Sequence, residues 1–273
     1  WTIPGNRALA YGEEIAYGVY QVDAVEEGSL AVVGEKLALA DALAEEVRAK
    51  AGISSWTRVA GVTNPAGTVC RHPLSALGYT YEDLLLPADY VTTEQGTGFV
   101  HIAPGHGAED FDLGREHGVE VPDTVGPDGV YYPHVPHFAG HHVFKAHGPV
   151  IDALTEHGGL LAHGKIVHSY PHSWRSKAPL IFRNAPQWFI SMEKNGLRET
   201  ALKAIDETAF YPVSGQRRLR DMIARRPDWL LSRQRVWGVP ITVFVDKRTG
   251  EPLRDPAVNA RIVEAIARDG CDA

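Results

Sequence analysis

The 273-residue sequence contains only two cysteines, Cys70 and Cys271, too few for a disulfide framework or a four-cysteine zinc site. No stretch approaches the roughly 18 uninterrupted apolar residues of a membrane helix, so no membrane span is expected. No basic segment leads into an apolar run and the first residue is Trp1, which predicts no signal peptide and a fragment or a processed chain. With 44% hydrophobic and 22% charged residues, the composition excludes disorder, collagen and coiled coil.

Several catalytic signatures are also missing. There is no Gly-x-Ser-x-Gly elbow and no Walker loop, and the glycines at 96 and 98 lack the third glycine of a dinucleotide fingerprint. Cys70 stands beside Arg71, which could lower the pKa of its thiol and make it reactive. A small buried residue is the favoured interpretation.

Charge is distributed unevenly. The chain has a net charge of −7, yet residues 168–240 contain 13 basic and 6 acidic side chains, a balance of +7. Such a segment could contact a polyanion, or it could be a solvated helix surface with ion pairs; charge alone favours the second.

Periodicity and turn residues predict an α+β first part with many short strands around a barrel or sandwich, and a more helical second part from about residue 168. Strands are expected at 7–11, 15–22, 29–33, 56–62, 68–71, 84–86, 99–102 and 241–245, the last one buried. Helices are expected at 36–51, 107–117, 149–157, 197–207, 214–225 and 256–268. Hairpin connections are expected at 12–14 and 128–129.

The segment 96–110, GTGFVHIAPGHGAED, is the densest group of unusual residues. A strand carrying His101 runs through a Pro-Gly turn into a helix whose first turn holds Glu109 and Asp110. These acids could simply offset the helix macrodipole. Alternatively, the glycines let a ligand approach the backbone, and His101 and Asp110 face one pocket from two elements.

Histidine is abundant, and five histidines are close in sequence: His134, His137, His141, His142 and His147. A metal site is one interpretation. However, no helical HExxH occurs and no carboxylate stands among them at ligand spacing, so histidines of surface loops are favoured.

Five segments in register resemble the isoleucyl-tRNA synthetase family of class I aminoacyl-tRNA synthetases: WTIPGNRA at 1–8, the 96–110 segment, HSYPHSWR at 168–175, PQWFI at 186–190 and SRQRVWGVP at 232–240. The resemblance implies that residues 1–167 are most of a helix-decorated β-barrel editing domain. Residues 168–273 would be a mostly helical, partial return into the catalytic domain. No HIGH-type or KMSKS-type motif is present, so we expect no activation of isoleucine by this chain alone.

The resemblance also implies roles for individual residues in the hydrolysis of valyl-tRNA(Ile). Asp110 matches the aspartate that holds the α-ammonium group, and His101 the histidine that lines the pocket and helps exclude isoleucine. Thr2 and Asn6 match the edge of the family's threonine-rich segment, which binds the substrate. Thr92 and Thr93 are weaker candidates for the same pocket. Gln234 and Trp237 match residues near the amino-acid pocket of the synthetic site.

Two departures from the family pattern stand out. The threonine-rich segment is expected before Trp1, so part of the editing pocket would be missing. Ser173 and Ser176 occupy positions that are cysteines in some members, and because serine is a poor zinc ligand we expect no zinc there. The resemblance further implies ATP and Mg²⁺ for the whole enzyme but no cofactor for editing. It implies tRNA(Ile) and the valyl and isoleucyl groups as partners, and a cytoplasmic monomer. A tRNA-binding module with an inactive pocket and a metal-dependent hydrolase remain as alternatives.

Overall fold

The structure, a computed structural model, describes residues 1–167, 169–233 and 238–271. It is a mixed α+β fold with open sheets, as the α+β prediction required. The chain divides into two compact units, Trp1–Ala185 and Pro186–Ala273. No helix among the described residues is long and apolar enough to cross a bilayer.

The first unit contains a four-stranded sheet in the order β5-β6-β1-β7. Its strands are β1 (Ala8–Tyr11), β5 (Val69–Arg71), β6 (Glu82–Pro87) and β7 (Phe99–Ile102). The central strand β1 runs parallel to β6 and antiparallel to β7, and the latter pairing sets Leu9 opposite His101. Because β6 and β7 occupy both edges of β1, no hairpin joins β1 to the next strand, and the connection predicted at 12–14 is wrong.

A second, antiparallel sheet has the order β3-β2-β4, with β2 (Tyr17–Val25), β3 (Lys36–Ala40) and β4 (Ile53–Gly61). The helix predicted over 36–51 is wrong in its first third, because Lys36–Ala40 pairs with β2 before α1 (Ala44–Lys50) begins. Alanine and leucine favour helix, but pairing with β2 and burial of Leu39 and Ala40 override that preference. The strand predicted at 29–33 is also wrong: this is an irregular loop with Val32 and Val33 exposed.

Two further helices of this unit agree with the predictions. The helix α2 (Ala108–Glu116) has acidic residues in its first turn and Arg115 in its last, which suits the helix dipole. The helix α3 (His147–Glu156) packs Val150, Ala153 and Leu154 into a core whose fully buried members include Tyr79 and Phe138. The hairpin predicted at Asp128-Gly129 is present, but its loop has three residues rather than two: the Gly126 N–H bonds the Val130 carbonyl, and Val125 bridges Tyr131. The connection is therefore made by residues 127–129.

In the described part of the second unit, the structure has a two-stranded ribbon and, at the predicted positions, three α-helices. They are β8 (Phe189–Ile190), β9 (Trp229–Leu230), α4 (Leu197–Asp206), α5 (Ser214–Ala224) and α6 (Pro256–Asp269). The Arg198 guanidinium on α4 donates to the carbonyls of Ile223 and Ala224 at the end of α5, which joins the two helices. The strand predicted as buried at 241–245 is wrong: these residues are exposed and make only an isolated bridge from Val245 to Pro252.

Candidate functional site

Three of the predicted site residues are brought together where the chain enters β1. A 3₁₀ turn, Ile3–Gly5, separates Thr2 from Asn6, and His101 lies on the neighbouring strand β7. The Thr2 hydroxyl lies 2.9 Å from His101 Nε2, and His101 Nδ1 lies 3.2 Å from Asn6 Oδ1. His101 is 99 positions from Thr2 and 95 from Asn6 in the sequence, so only the pairing of β1 with β7 brings it to them.

His101 is a neutral imidazole at physiological pH. Burial lowers its pKa to about 4, and the positive charges of the amino terminus and His106 act in the same direction. A neutral ring can accept a hydrogen bond at one nitrogen while it donates at the other. It also avoids the repulsion that an imidazolium would exert on a cationic ligand bound nearby.

Asp110 lies in the first turn of α2 and is half-buried. Its Oδ2 accepts a 2.8 Å hydrogen bond from the N–H of Ala103, while Oδ1 has no hydrogen bond to any described residue. Burial raises the pKa of Asp110, and the Ala103 hydrogen bond opposes that rise. Ala103 follows His101 by two residues, which corresponds to roughly 7 Å of extended chain. Asp110 is therefore anchored at the end of the strand that carries His101, with one oxygen available to a ligand.

The remaining predicted residues do not join this group. Thr92 and Thr93 are exposed on the connection between β6 and β7, and no described contact links them to His101. Gln234 and Trp237 lie outside the described residues. The roles of all these positions stay predictions.

Asp83 is a member of the group that the sequence did not reveal. This β6 residue is 1% exposed, and its Oδ2 accepts a 2.8 Å hydrogen bond from Asn6 Nδ2. Burial raises the pKa of Asp83 to about 6, although the Asn6 hydrogen bond and the Arg7 charge lower it. An acidic residue directly before the apolar run Leu84–Leu86 of β6 was the available signal.

His106 and Trp1 form a second layer beside the site that sequence reasoning also missed. His106 Nδ1 lies 2.9 Å from the Phe182 carbonyl, and Nε2 lies 2.6 Å from the Thr124 hydroxyl. The Trp1 ring packs edge-on against His106, with 4.9 Å between centroids. Gly5 allows this packing, because a Cβ there would come within 2.8 Å of the His106 ring.

The histidine group at 134–147 makes ordinary loop contacts. His134 Nε2 bonds the Asp123 carbonyl, and the His142 ring accepts from the Phe144 N–H. Across residues 1–167, 169–233 and 238–271, no group of three or more His, Cys, Asp or Glu could hold a metal ion. Ser173 and Ser176 contact each other through a hydrogen bond from the Ser176 N–H to the Ser173 hydroxyl.

The reactive-thiol interpretation of Cys70 is wrong. Burial raises the pKa of the Cys70 thiol, and the nearby Asp83 carboxylate raises it further. Arg71 follows on the same strand but does not offset these effects. Cys70 therefore remains a thiol at neutral pH.

Several basic side chains of the second unit lie close together in sequence: Arg217, Arg218 and Arg220 on α5, and Arg225 and Arg226 directly after it. An open groove along α5 is lined by Ser214, Arg217, Arg218, Asp221, Met222 and Arg225. No residue of α5 is buried. The groove thus exposes a row of guanidinium groups suited to phosphate.

Comparison with known proteins identifies the family to which this chain belongs. The sequence pattern of the family "tRNA synthetases class I (I, L, M and V)" matches residues 21–269. The isoleucine–tRNA ligase of Gluconobacter oxydans is 52% identical, over 100% of this chain and 30% of that protein. The corresponding ligases of Caulobacter vibrioides and Pelagibacter ubique are 51% and 48% identical, over 100% of this chain and 31% and 30% of those proteins.

The chain thus spans about 30% of the length of these curated relatives. A crystal structure described as GlLeuRS-CP1 is similar with a TM-score of 0.45 and 15% identity, over 63% of this chain and 81% of that one, which is too distant for transfer of detail. The resemblance to isoleucyl enzymes inferred from five motifs is confirmed by the relatives, and the chain belongs to the class I tRNA synthetases of the isoleucine, leucine, methionine and valine family.

Proposed function

We propose that the first unit is an editing site that hydrolyses valyl-tRNA(Ile), the product of a selection error by an isoleucine enzyme. A second site is needed because one methylene changes binding to an apolar pocket by only about 1–3 kcal/mol, a limit for which isoleucyl enzymes are the standard example. The observation that carries the proposal is the convergence of Thr2, Asn6 and His101, with Asp110 anchored at the end of the same strand.

Each side chain has a part in binding the ester. The unpartnered Oδ1 of Asp110 would accept a charge-assisted hydrogen bond from the α-ammonium group of the aminoacyl moiety. The neutral His101 would line the pocket without repelling that cation. The Thr2 hydroxyl would hold the substrate or the attacking water.

The reaction itself needs no covalent enzyme intermediate. Water attacks the ester carbonyl carbon, the bond from that carbon to the ribose oxygen breaks, and the ribose oxygen takes a proton from the water. The products are free valine and a tRNA with its terminal hydroxyl restored. We assign Asp110 to binding rather than proton transfer, because its described hydrogen bond and its predicted role both concern orientation.

The finer architecture belongs to the same proposal. The open four- and three-stranded sheets would be parts of a helix-decorated β-barrel editing domain over residues 1–167. Residues 168–273 would be a mostly helical part of the catalytic domain, with the arginines of α5 on tRNA phosphates. The ATP and Mg²⁺ that the family implies would serve the synthetic reaction of the whole enzyme, and the sequence of this chain contains no HIGH-type or KMSKS-type motif.

Deacylation assays on valyl-tRNA(Ile) and isoleucyl-tRNA(Ile) test the proposal with the 273-residue chain. We expect hydrolysis of the valyl ester only, with no effect of a chelator. Asp110→Ala should abolish it, whereas Asp112→Ala, which removes an exposed carboxylate from the same helix, should not. Valyl hydrolysis that survives Asp110→Ala would refute the role of Asp110.

A tRNA-binding module is the second candidate, and the exposed arginines of α5 favour it. It predicts salt-dependent binding of tRNA(Ile) without hydrolysis of either ester. A non-hydrolysable valyl-adenosine analogue separates the two candidates by a direct route. Only an editing site should bind this analogue in a manner that depends on Asp110.

A further inference from the structure

A buried carboxylate that the proposed hydrolysis does not use lies behind Asn6. Asp83 is 1% exposed, and Oδ1 is without a hydrogen-bond partner among the described residues. A carboxylate in such a place costs free energy unless its interactions compensate. Its one hydrogen bond, from Asn6 Nδ2 at 2.8 Å, leads directly to the site.

That hydrogen bond determines the orientation of the Asn6 amide. Nδ2 is the donor end of the side chain, so it faces the carboxylate and Oδ1 must face His101. A flipped amide would put an oxygen against the Asp83 carboxylate, which is a contact between two acceptors. The Asn6 backbone is already held, since its N–H bonds Ile3 and its carbonyl accepts from Arg7 Nη1.

The orientation of the amide then determines which nitrogen of His101 carries the proton. Asn6 Oδ1 can only accept, so His101 Nδ1 must be protonated to bond it across 3.2 Å. In the neutral ring Nε2 is then an acceptor, and the Thr2 hydroxyl donates to it across 2.9 Å. A chain of three directed hydrogen bonds therefore runs from Thr2 to Asp83.

We propose that Asp83 is a positioning residue which, through Asn6, holds His101 in the Nδ1–H tautomer. In that tautomer the Thr2 hydroxyl donates its proton to His101 Nε2, and the Thr2 oxygen is left as an acceptor for a ligand or a water. The catalytic consequence of this arrangement rests on the proposed function. The tautomer itself does not.

The charges of Asp83 and His101 fit the direction of the three hydrogen bonds from Thr2 to Asp83. Burial raises the pKa of Asp83 to about 6 and lowers that of His101 to about 4, so at neutral pH the carboxylate is ionised and the imidazole neutral. The charge of Arg7 acts on Asp83 and favours the carboxylate, and the Arg7 guanidinium lies 3.6 Å from the centre of the Tyr81 ring. Directed hydrogen bonds that end on a buried anion polarise one another.

The test is the tautomer of His101, measured by long-range ¹H–¹⁵N correlation on the histidine-labelled 273-residue chain. Protonated and unprotonated ring nitrogens have well-separated ¹⁵N shifts. We expect Nδ1 protonated and Nε2 unprotonated in the wild type and in Asp83→Asn, whose amide oxygen can replace the carboxylate. Asp83→Leu has a similar size but accepts no hydrogen bond, so it should lose the single tautomer. A wild-type ring protonated at Nε2, or an unchanged tautomer in Asp83→Leu, would overturn the proposal.

Asp41→Leu is the matched control. Asp41 accepts hydrogen bonds from Tyr20 and Arg58 elsewhere in the same unit, so its loss should lower stability without changing the His101 signals. If Asp83→Leu does not fold, Asn6→Ser replaces it, because the shorter side chain cannot bridge Asp83 and His101. An unchanged tautomer in that variant also overturns the proposal.

Kinetics separates this inference from the proposed function. If the chain hydrolyses valyl-tRNA(Ile), Asp83→Leu should lower kcat about tenfold, the effect of one misdirected hydrogen bond in the transition state, and Asp83→Asn should restore it. A chain that hydrolyses neither ester but shows the expected tautomers refutes the function and leaves the positioning role intact. Valyl hydrolysis together with a His101 tautomer that Asp83→Leu does not change supports the proposed function and refutes the positioning role.

Discussion

Acidification from pH 7 to pH 4 should destabilise the first unit through three buried groups. Burial lowers the pKa values of His72 and His101 to about 4 from the ordinary 6.5 and raises that of Asp83 to about 6 from 3.8. The unfolded chain protonates both histidines near pH 6.5, whereas the native chain does not until about pH 4. The native chain instead protonates Asp83 near pH 6. The unfolded state therefore binds more protons throughout this interval, and stability falls as the pH falls.

The magnitude follows from the proton difference. Each proton bound in excess by the unfolded state changes the free energy of unfolding by about 1.4 kcal/mol per pH unit. The excess is two protons just above pH 6 and one below it, where Asp83 offsets one histidine. These three groups together remove on the order of 4 kcal/mol between pH 6.5 and pH 4.

His72→Gln isolates one histidine. The His72 ring is 1% exposed, bonds the Ile3 carbonyl through Nε2 and stacks on Tyr79. Glutamine can still donate to that carbonyl but does not titrate. In urea denaturation at pH 4.5, 5.5, 6.5 and 7.5, the slope of stability against pH should drop by about 1.4 kcal/mol per unit between pH 4.5 and 6.5 and stay unchanged above pH 6.5.

The control is His157→Gln, at an exposed position on the same unit, which should leave that slope unchanged. A wild-type stability that stays flat or rises on acidification would refute the reasoning. So would an unchanged slope in His72→Gln.

Three further predictions concern packing, backbone conformation and charge. Phe138→Ala leaves a cavity at a fully buried position in the core around Tyr79 and Tyr131. Urea denaturation should show that the free energy of unfolding falls by about 3–5 kcal/mol. A decrease below about 1 kcal/mol would contradict the described packing. Gly98 has φ +82°, and a Cβ there would come within 2.5 Å of the Ala40 Cβ. Gly96 has a similar φ of +83°, but the space around it is open, so Gly98→Ala should lower the free energy of unfolding by at least about 1 kcal/mol more than Gly96→Ala. Equal losses of stability in the two variants would show that Ala40 moves freely. Replacing both Arg217 and Arg218 by glutamine should reduce the slope of log K for tRNA binding against log salt by about 0.7–0.9 per arginine. The control Arg268→Gln removes an arginine that is paired with Asp269, and it should leave the slope unchanged. An unchanged slope in the double variant would show that α5 makes no phosphate contacts.

Most helices could be predicted from local signals alone. The helix α6 begins where Asp255 accepts hydrogen bonds from the N–H groups of Ala257 and Val258, and Pro256 fits its first turn. The family could also be inferred from five motifs, because they occur in order along nearly the whole chain. Local rules failed at Lys36–Ala40, whose alanines and leucines favour helix until pairing with β2 makes it a strand.

The residues of the candidate site likewise fall into those that could be identified from the sequence and those that only the fold brings together. Asp110 and His101 could be named from the sequence, since both lie in one glycine-rich segment of 15 residues. The link from His101 to Thr2 and Asn6 depended on the antiparallel register of β1 with β7, and the link to Asp83 on the parallel pairing of β1 with β6. Hydrogen bonds between residues 77 to 99 positions apart exist only after the strands have paired. The sequence could therefore supply the types of side chain, while the direction of the protons among them was decided by the sheet that brings their donors and acceptors face to face.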